Sequence, residues 1–153
     1  MSQFAKYLAV KYRAGLMIVV SFAVGVGGMA LAQQAVKDQV KVTELSRCDI
    51  VEKLDGKDAG ATVLEVTFEP GATDTPHRHA GPVFGYVLES QYEHAIDDEP
   101  VKTYKAGETF YEPTGSVHRM ASNPSNQART RLVVVILHPR DASEVTVWEH
   151  GDH

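Results

Sequence analysis

Gly71-Ala-Thr-Asp-Thr-Pro-His77-Arg-His79 and Gly107-Glu-Thr-Phe-Tyr-Glu-Pro113-Thr-Gly115-Ser-Val-His118 are the two stretches on which the reading of this 153-residue chain turns. His77 and His79 stand at i and i+2. On a strand that spacing points both imidazoles to one face and sends Arg78, an ordinary surface charge, to the other. His118 follows the turn Pro113-Thr-Gly115. Neutral imidazole is the commonest protein ligand for transition metals, and two on one strand plus one from a neighbour make a facial three-nitrogen site. An H-x-H alone is weak evidence; the third His behind a Pro-x-Gly turn strengthens it, because the turns fix strand order.

Working outward, the flanking residues read as short strands. Val63 to Phe68 alternates apolar and polar residues, as a half-buried strand does. Val83 to Leu88, Tyr92 to Ile96, Val101 to Tyr104, Glu108 to Tyr111, Arg131 to Leu137 and Val145 to Trp148 complete the set. Turn residues fall between them at Glu69-Pro-Gly71, Ala80-Gly-Pro82, Asp97-Asp-Glu-Pro100, Lys105-Ala-Gly107 and Asn123-Pro-Ser125. Many short strands at this spacing predict an all-β sandwich or barrel. No helical pattern, internal repeat or splitting linker follows residue 40.

These two stretches resemble the motifs of the cupin superfamily. Gly71, His77 and His79 match its first motif, G-x5-H-x-H-x3,4-E-x6-G. Gly107, Pro113, Gly115 and His118 match its second, G-x5-P-x-G-x2-H-x3-N. The resemblance runs from about Val63 to Leu137. It implies an all-β fold, the double-stranded β-helix or jelly-roll barrel, here over residues 43–148. It also implies a divalent metal (Zn, Fe, Cu, Ni or Mn) held by His77, His79 and His118. Dioxygenase-like chemistry on a small molecule leads, with isomerase- or lyase-like chemistry behind it. The alternative is a module that holds a metal or small ligand without turnover, since one fold hosts many activities. Cupins commonly pair, so a homodimer is expected.

The chain departs from the pattern in three places. Val83 stands in the glutamate slot, Ser90 in the glycine slot, and the motif's last Asn is displaced to Asn123, with Ser122 in its place. The missing Glu matters most, because in the family it supplies a carboxylate to the metal. A three-His set favours Zn, Cu, Ni or Fe(II) over harder cations. Glu112, just before Pro113, is the candidate replacement, as a ligand or as an acceptor for a ligand N–H. Glu89 shares the parity of Val83 but lies too far along the strand. Tyr111, beside Glu112, is the candidate proton donor. Most strand aromatics, Phe68, Phe84, Tyr86 and Phe110 among them, read as core. His94 reads as an exposed hairpin residue and His138 as a structural strand end at the barrel mouth.

The first 32 residues are read apart from the domain. Lys6, Lys11 and Arg13 precede an uncharged run from Ala14 to Gln34, which ends in Ala30-Leu-Ala32. That order describes a secretory signal peptide cut after Ala32; the alternative is an uncleaved membrane anchor, the run being near the roughly 20 residues a span needs. Residues 33–42 read as a flexible stem and 149–153, with His150 and His153, as a disordered tail. The expected location is the periplasm or outside the cell. Cleavage would leave 121 residues with a net charge of −8 and all seven His. That acidic balance argues against nucleic acid as a partner. The single Cys48 excludes an internal disulfide and a Cys-rich zinc module, and reads as a partly buried thiol, with intermolecular pairing left open. No nucleophile elbow or phosphate loop is present.

Overall fold

The computed structural model describes residues 39–149. The leader, residues 33–38 of the stem and the tail beyond Glu149 lie outside them. The described residues form ten strands: β1 (Val40–Leu54), β2 (Lys57–Phe68), β3 (His77–His79), β4 (Val83–Glu89), β5 (Gln91–Ile96), β6 (Lys102–Lys105), β7 (Thr109–Glu112), β8 (His118–Ser122), β9 (Thr130–Pro139) and β10 (Thr146–Trp148). They make two five-stranded antiparallel sheets, ordered β1-β2-β9-β4-β7 and β10-β3-β8-β5-β6. This is the all-β barrel that the alternation and turns predict.

Alternation builds the core. Along β9, Thr130, Leu132, Val134, Ile136 and His138 face inward while the residues between them are half-buried. Leu132, Val134 and Ile136 pack with Phe68, Val83, Val87, Tyr92 and Phe110. Gly71 and Gly107, which open the two histidine stretches, have φ of 73° and 90°. A side chain is strained there, so glycine turns the chain into each histidine-bearing segment at little cost.

The displaced Asn123 is buried, and its amide donates to the carbonyl oxygens of Glu69 (3.0 Å) and Ala128 (2.8 Å). It ties the end of β2 to the loop before β9.

Two boundary expectations are corrected. Residues 40–42 are strand and not stem, because Val40 and Val42 pair with Phe68 and Val66 of β2. Cys48 is exposed and not partly buried, since β1 is an edge strand covered on one side only.

Candidate metal centre

His77 and His118 are directly paired between β3 and β8. His79 shares the face of His77 because two residues make one pleat. The turn that delivers His118 is fastened to β3: Gly115 N donates to His79 O, and the Arg78 guanidinium donates to Gly115 O at 2.6 Å. Arg78 also pairs with Glu149. It faces outward as expected, yet it clamps the chain on both sides of β3. The His77 ring centroid lies 4.9 Å from those of both His79 and His118. One ring nitrogen from each of the three falls within 4.8 Å of the other two.

The partners of these rings orient them. His77 Nδ1 lies 2.8 Å from Thr75 O. A carbonyl only accepts, so Nδ1 carries the proton and Nε2 presents a lone pair. Thr146 Oγ1 lies 3.2 Å from His79 Nδ1, and Trp148 packs over His77. Both come from β10, which pairs Thr146 with His79 and Trp148 with His77. Ligand imidazoles typically have this kind of outer support.

Glu112 completes the arrangement. It pairs across the β4–β7 ladder with Val83, the residue in the empty glutamate slot. Directly opposed residues in an antiparallel pair share a face, with Cβ atoms about 5 Å apart. The carboxylate missing from β4 is therefore supplied by the next strand. Glu112 is 2% exposed. Its Oε2 lies 3.6 Å from His79 Nε2, and its Oε1 lies 3.3 Å from His118 Nδ1 and 3.4 Å from His94 Nε2. Two ligands on one tetrahedral ion with bonds of about 2.1 Å sit about 3.4 Å apart. Glu112 Oε2 and His118 Nδ1 are buried with no hydrogen-bond partner. Orphaned polar atoms of this kind are rare in folded proteins and mark a missing ion or water. The residues therefore fit a divalent cation.

Burial sets the protonation of the cluster. It pushes the His118 imidazole down to about 3, against the pull of Glu112. His79 is also lowered, first by burial, with Glu112 again opposing. Burial would raise the Glu112 carboxyl, but the hydrogen bond from His94 and the charges of the neighbouring imidazoles outweigh it and leave the group below its usual value. A neutral His118 and an ionised Glu112 at neutral pH are what a cation requires.

The same shift predicts acid sensitivity. His118 titrates near 6.5 when unfolded and near 3 when folded, so between those values the unfolded chain binds more protons. Stability is present in full above pH 6.5 and is lost as the pH falls toward 3. The metal-free chain should lose about 3 kcal/mol between pH 7 and pH 4 from this group alone. Urea unfolding of the chelator-treated protein checks it; a pH-independent midpoint would count against a buried neutral His118.

Four site expectations change. Tyr111 does not reach the cluster. It lies between inward-facing Phe110 and Glu112, so alternation turns it outward, where it is 51% exposed beside Phe84. Phe84 and Tyr86 are likewise exposed and not core. The hydroxyl at the cluster belongs to Tyr92, 3.2 Å from His118 Nε2. Burial, then Glu112 and Asp74, hold its pKa well above the usual value, so it stays protonated. His94 is not an exposed hairpin residue. It shares the inward parity of Tyr92, is buried, and stands between Tyr104 and Phe110 with its Nε2 on Glu112. His94, Glu112 and His118 form a second three-residue group with ligand spacing. The parity of Tyr92 and His94 was visible in the sequence; which face of β5 turns inward was not. His138 is structural as expected: its Nδ1 donates to Pro139 O, and Thr62 Oγ1 donates to its Nε2 at 2.9 Å. Glu89 is engaged by Arg131.

The cluster opens into a cavity of about 400 Å³ inside the barrel. Its walls include Leu64, Val66, Leu132, Val134 and Ile136, with Asp74 near His77 and with Glu44 and Arg47 of β1 among the lining residues.

Comparison with known proteins agrees with this picture. The family model described as a cupin domain matches residues 64–136. Among solved structures, an oxalate oxidase is 24% identical with a TM-score of 0.54, over 72% of this chain and 55% of that one. The DMSP lyase DddQ from Ruegeria pomeroyi is 17% identical with a TM-score of 0.56, over 76% and 54%. KdgF from Halomonas sp. is 19% identical with a TM-score of 0.51, over 67% and 83%. The chain spans about half the length of the first two. These likenesses concern the fold. A search of curated protein sequences finds no match.

Proposed function

The chain belongs to the cupin superfamily, and on that premise we propose that it is an exported metal-dependent cupin acting on a small molecule. His77, His79, His118 and Glu112 hold one divalent ion in this reading. The observation that carries it is the pair of orphaned buried atoms, Glu112 Oε2 and His118 Nδ1, at ligand spacing among imidazoles. The basic, apolar, Ala-x-Ala order of residues 1–32 supports export to the periplasm or beyond.

A bound Zn, Fe, Cu, Ni or Mn supplies Lewis-acid chemistry, and a redox-active one also supports dioxygenation. The chain's own residues do the rest. Thr75 and Thr146 hold His77 and His79 in their ring orientations. His94 positions the Glu112 carboxylate through Oε1. With His118 Nδ1 turned to the ion, its Nε2 carries the proton and donates to the Tyr92 hydroxyl oxygen, and Tyr92 itself stays protonated. The apolar barrel wall limits water around the bound molecule. The neighbours named oxalate oxidase and DMSP lyase support oxidase- or lyase-type turnover of a small molecule.

Metal analysis by mass spectrometry of the untagged chain, beside His77→Ala/His118→Ala, tests the reading. About one ion per chain is expected in the parent and none in the variant. An empty parent after incubation with each of the five ions would overturn it. A loaded parent that consumes no candidate substrate would move the reading to a non-catalytic binding module.

The same reading includes a homodimer. The outer face of the β7-β4-β9 sheet exposes Phe84, Tyr86 and Tyr111 beside half-buried Val133 and Val135. Phe84→Glu should convert a dimeric parent to monomer in light scattering, since a charge on an apolar contact disfavours pairing. An unchanged mass would sink this placement.

A further inference from the structure

His94 touches the metal cluster but does not line its cavity. It lines a separate groove of about 690 Å³, with Tyr104, Phe110 and Tyr111. His94 is 3% exposed, and its Nε2 lies 3.4 Å from Glu112 Oε1. His118 Nδ1 lies 3.3 Å from the same oxygen. Both separations are long for a charge-assisted hydrogen bond, about 2.8 Å. They match two ligands on one tetrahedral ion with bonds of about 2.1 Å. One ligand atom each from His94, Glu112 and His118 lies within 4.8 Å of the other two, as in the set His77, His79 and His118.

The Glu112 carboxylate is divided between the two sets. Its Oε2 faces His79 at 3.6 Å, while its Oε1 faces His94 and His118. His118 belongs to both. Its Nε2 is committed to the Tyr92 hydroxyl, so Nδ1 holds the one free lone pair of the ring. One lone pair serves one ion. Charge sets the same limit. Apart from the Arg47–Glu44 pair, two carboxylates line the cavity, Asp74 and Glu112, and they neutralise one divalent ion and not two. The two sets are alternatives for a single ion.

We propose that the barrel has a second, inner cation position, held by His94, Glu112 and His118, which an ion takes in place of the one at His77 and His79. This rests on the metal reading above and adds where the ion can sit. Two imidazoles and a carboxylate suit Zn or Cu. An ion there is set toward the groove, away from His77, His79 and a molecule in the cavity.

The test loads the untagged chain with Cu(II). It measures copper per chain and the nitrogen hyperfine pattern in electron paramagnetic resonance, which counts ligating imidazoles. The parent is expected to hold one copper through three nitrogens. His77→Ala/His79→Ala is expected to keep one copper through two, those of His94 and His118. Adding His94→Phe, which keeps a ring between Tyr104 and Phe110, is expected to weaken copper binding more than 100-fold, beyond the 10–100-fold of a residue that only positions a ligand. A double variant that binds no copper, or binds it through one nitrogen, overturns the inference and leaves the metal reading standing. So does copper in the double variant that a folded His94→Phe chain still holds to within 100-fold. Near-ultraviolet circular dichroism reports folding, and if the triple variant unfolds the nitrogen count of the double variant decides alone. A parent without copper overturns the metal reading, and the inference with it.

Discussion

Glu112→Val is expected to weaken metal binding about 1,000-fold, and adding Val83→Glu to that variant is expected to restore most of the loss. The loss is set above the 10–100-fold typical of an outer partner, because a ligand itself is removed. The recovery follows from register. Val83 and Glu112 are direct partners in the β4–β7 ladder and are 1% and 2% exposed, both facing the barrel interior. Exchanging them moves the carboxylate across one strand pair, about 5 Å, within reach of a glutamate side chain. The exchange also keeps one Glu and one Val in the same two interior positions. Competition against a calibrated chelator measures the affinity, and near-ultraviolet circular dichroism reports whether the variants fold. A Glu112→Val chain that folds and keeps parental affinity would show that the carboxylate is not a ligand. A folded swap that stays as weak as the single variant would show that position 83 cannot serve the ion.

Gly81→Ala is expected to destabilise the barrel by about 4 kcal/mol, at the exceptional end for one added methyl. Gly81 lies between β3, which carries His77 and His79, and β4. A Cβ there would sit 1.9 Å from Leu137 O and 2.9 Å from Leu137 C. Those are backbone atoms of β9, which pairs with β2 on one side and β4 on the other, and Leu137 N is already committed to Pro82 O. No flexible side chain can yield, so a sheet or the turn must move. The melting temperature should fall by about 15 °C in a fold of this size. A fall of less than 3 °C would show that the Ala80–Pro82 turn is free to shift. If the variant folds, its metal content should fall as well, because His79 is two residues from the displaced backbone.

Much of this was legible along the chain because strands and turns are short-range objects. The i, i+2 spacing placed His77 and His79 on one face, and the alternation of Val63 to Phe68 read directly as a half-buried strand. Tyr111 shows the limit of that kind of reading. Adjacency to Glu112 suggested a shared site, but neighbours on a strand face opposite ways, so the choice of Glu112 as inward sends Tyr111 out. His94 was misplaced for a related reason. Its parity with Tyr92 is local, whereas burial of that face depends on β5 lying between β8 and β6 in the second sheet.

The sequence by itself determined the barrel class, the two turns that present the histidines and the shared face of His77 and His79, because a two-residue pleat and a left-handed glycine act over a few residues. Only the tertiary structure decided that Glu112 stands opposite the vacant position 83, that Tyr92 and not Tyr111 meets His118, and that His94 backs the carboxylate. Those facts are set by register between strands distant in the chain, and register depends on how whole faces bury against one another.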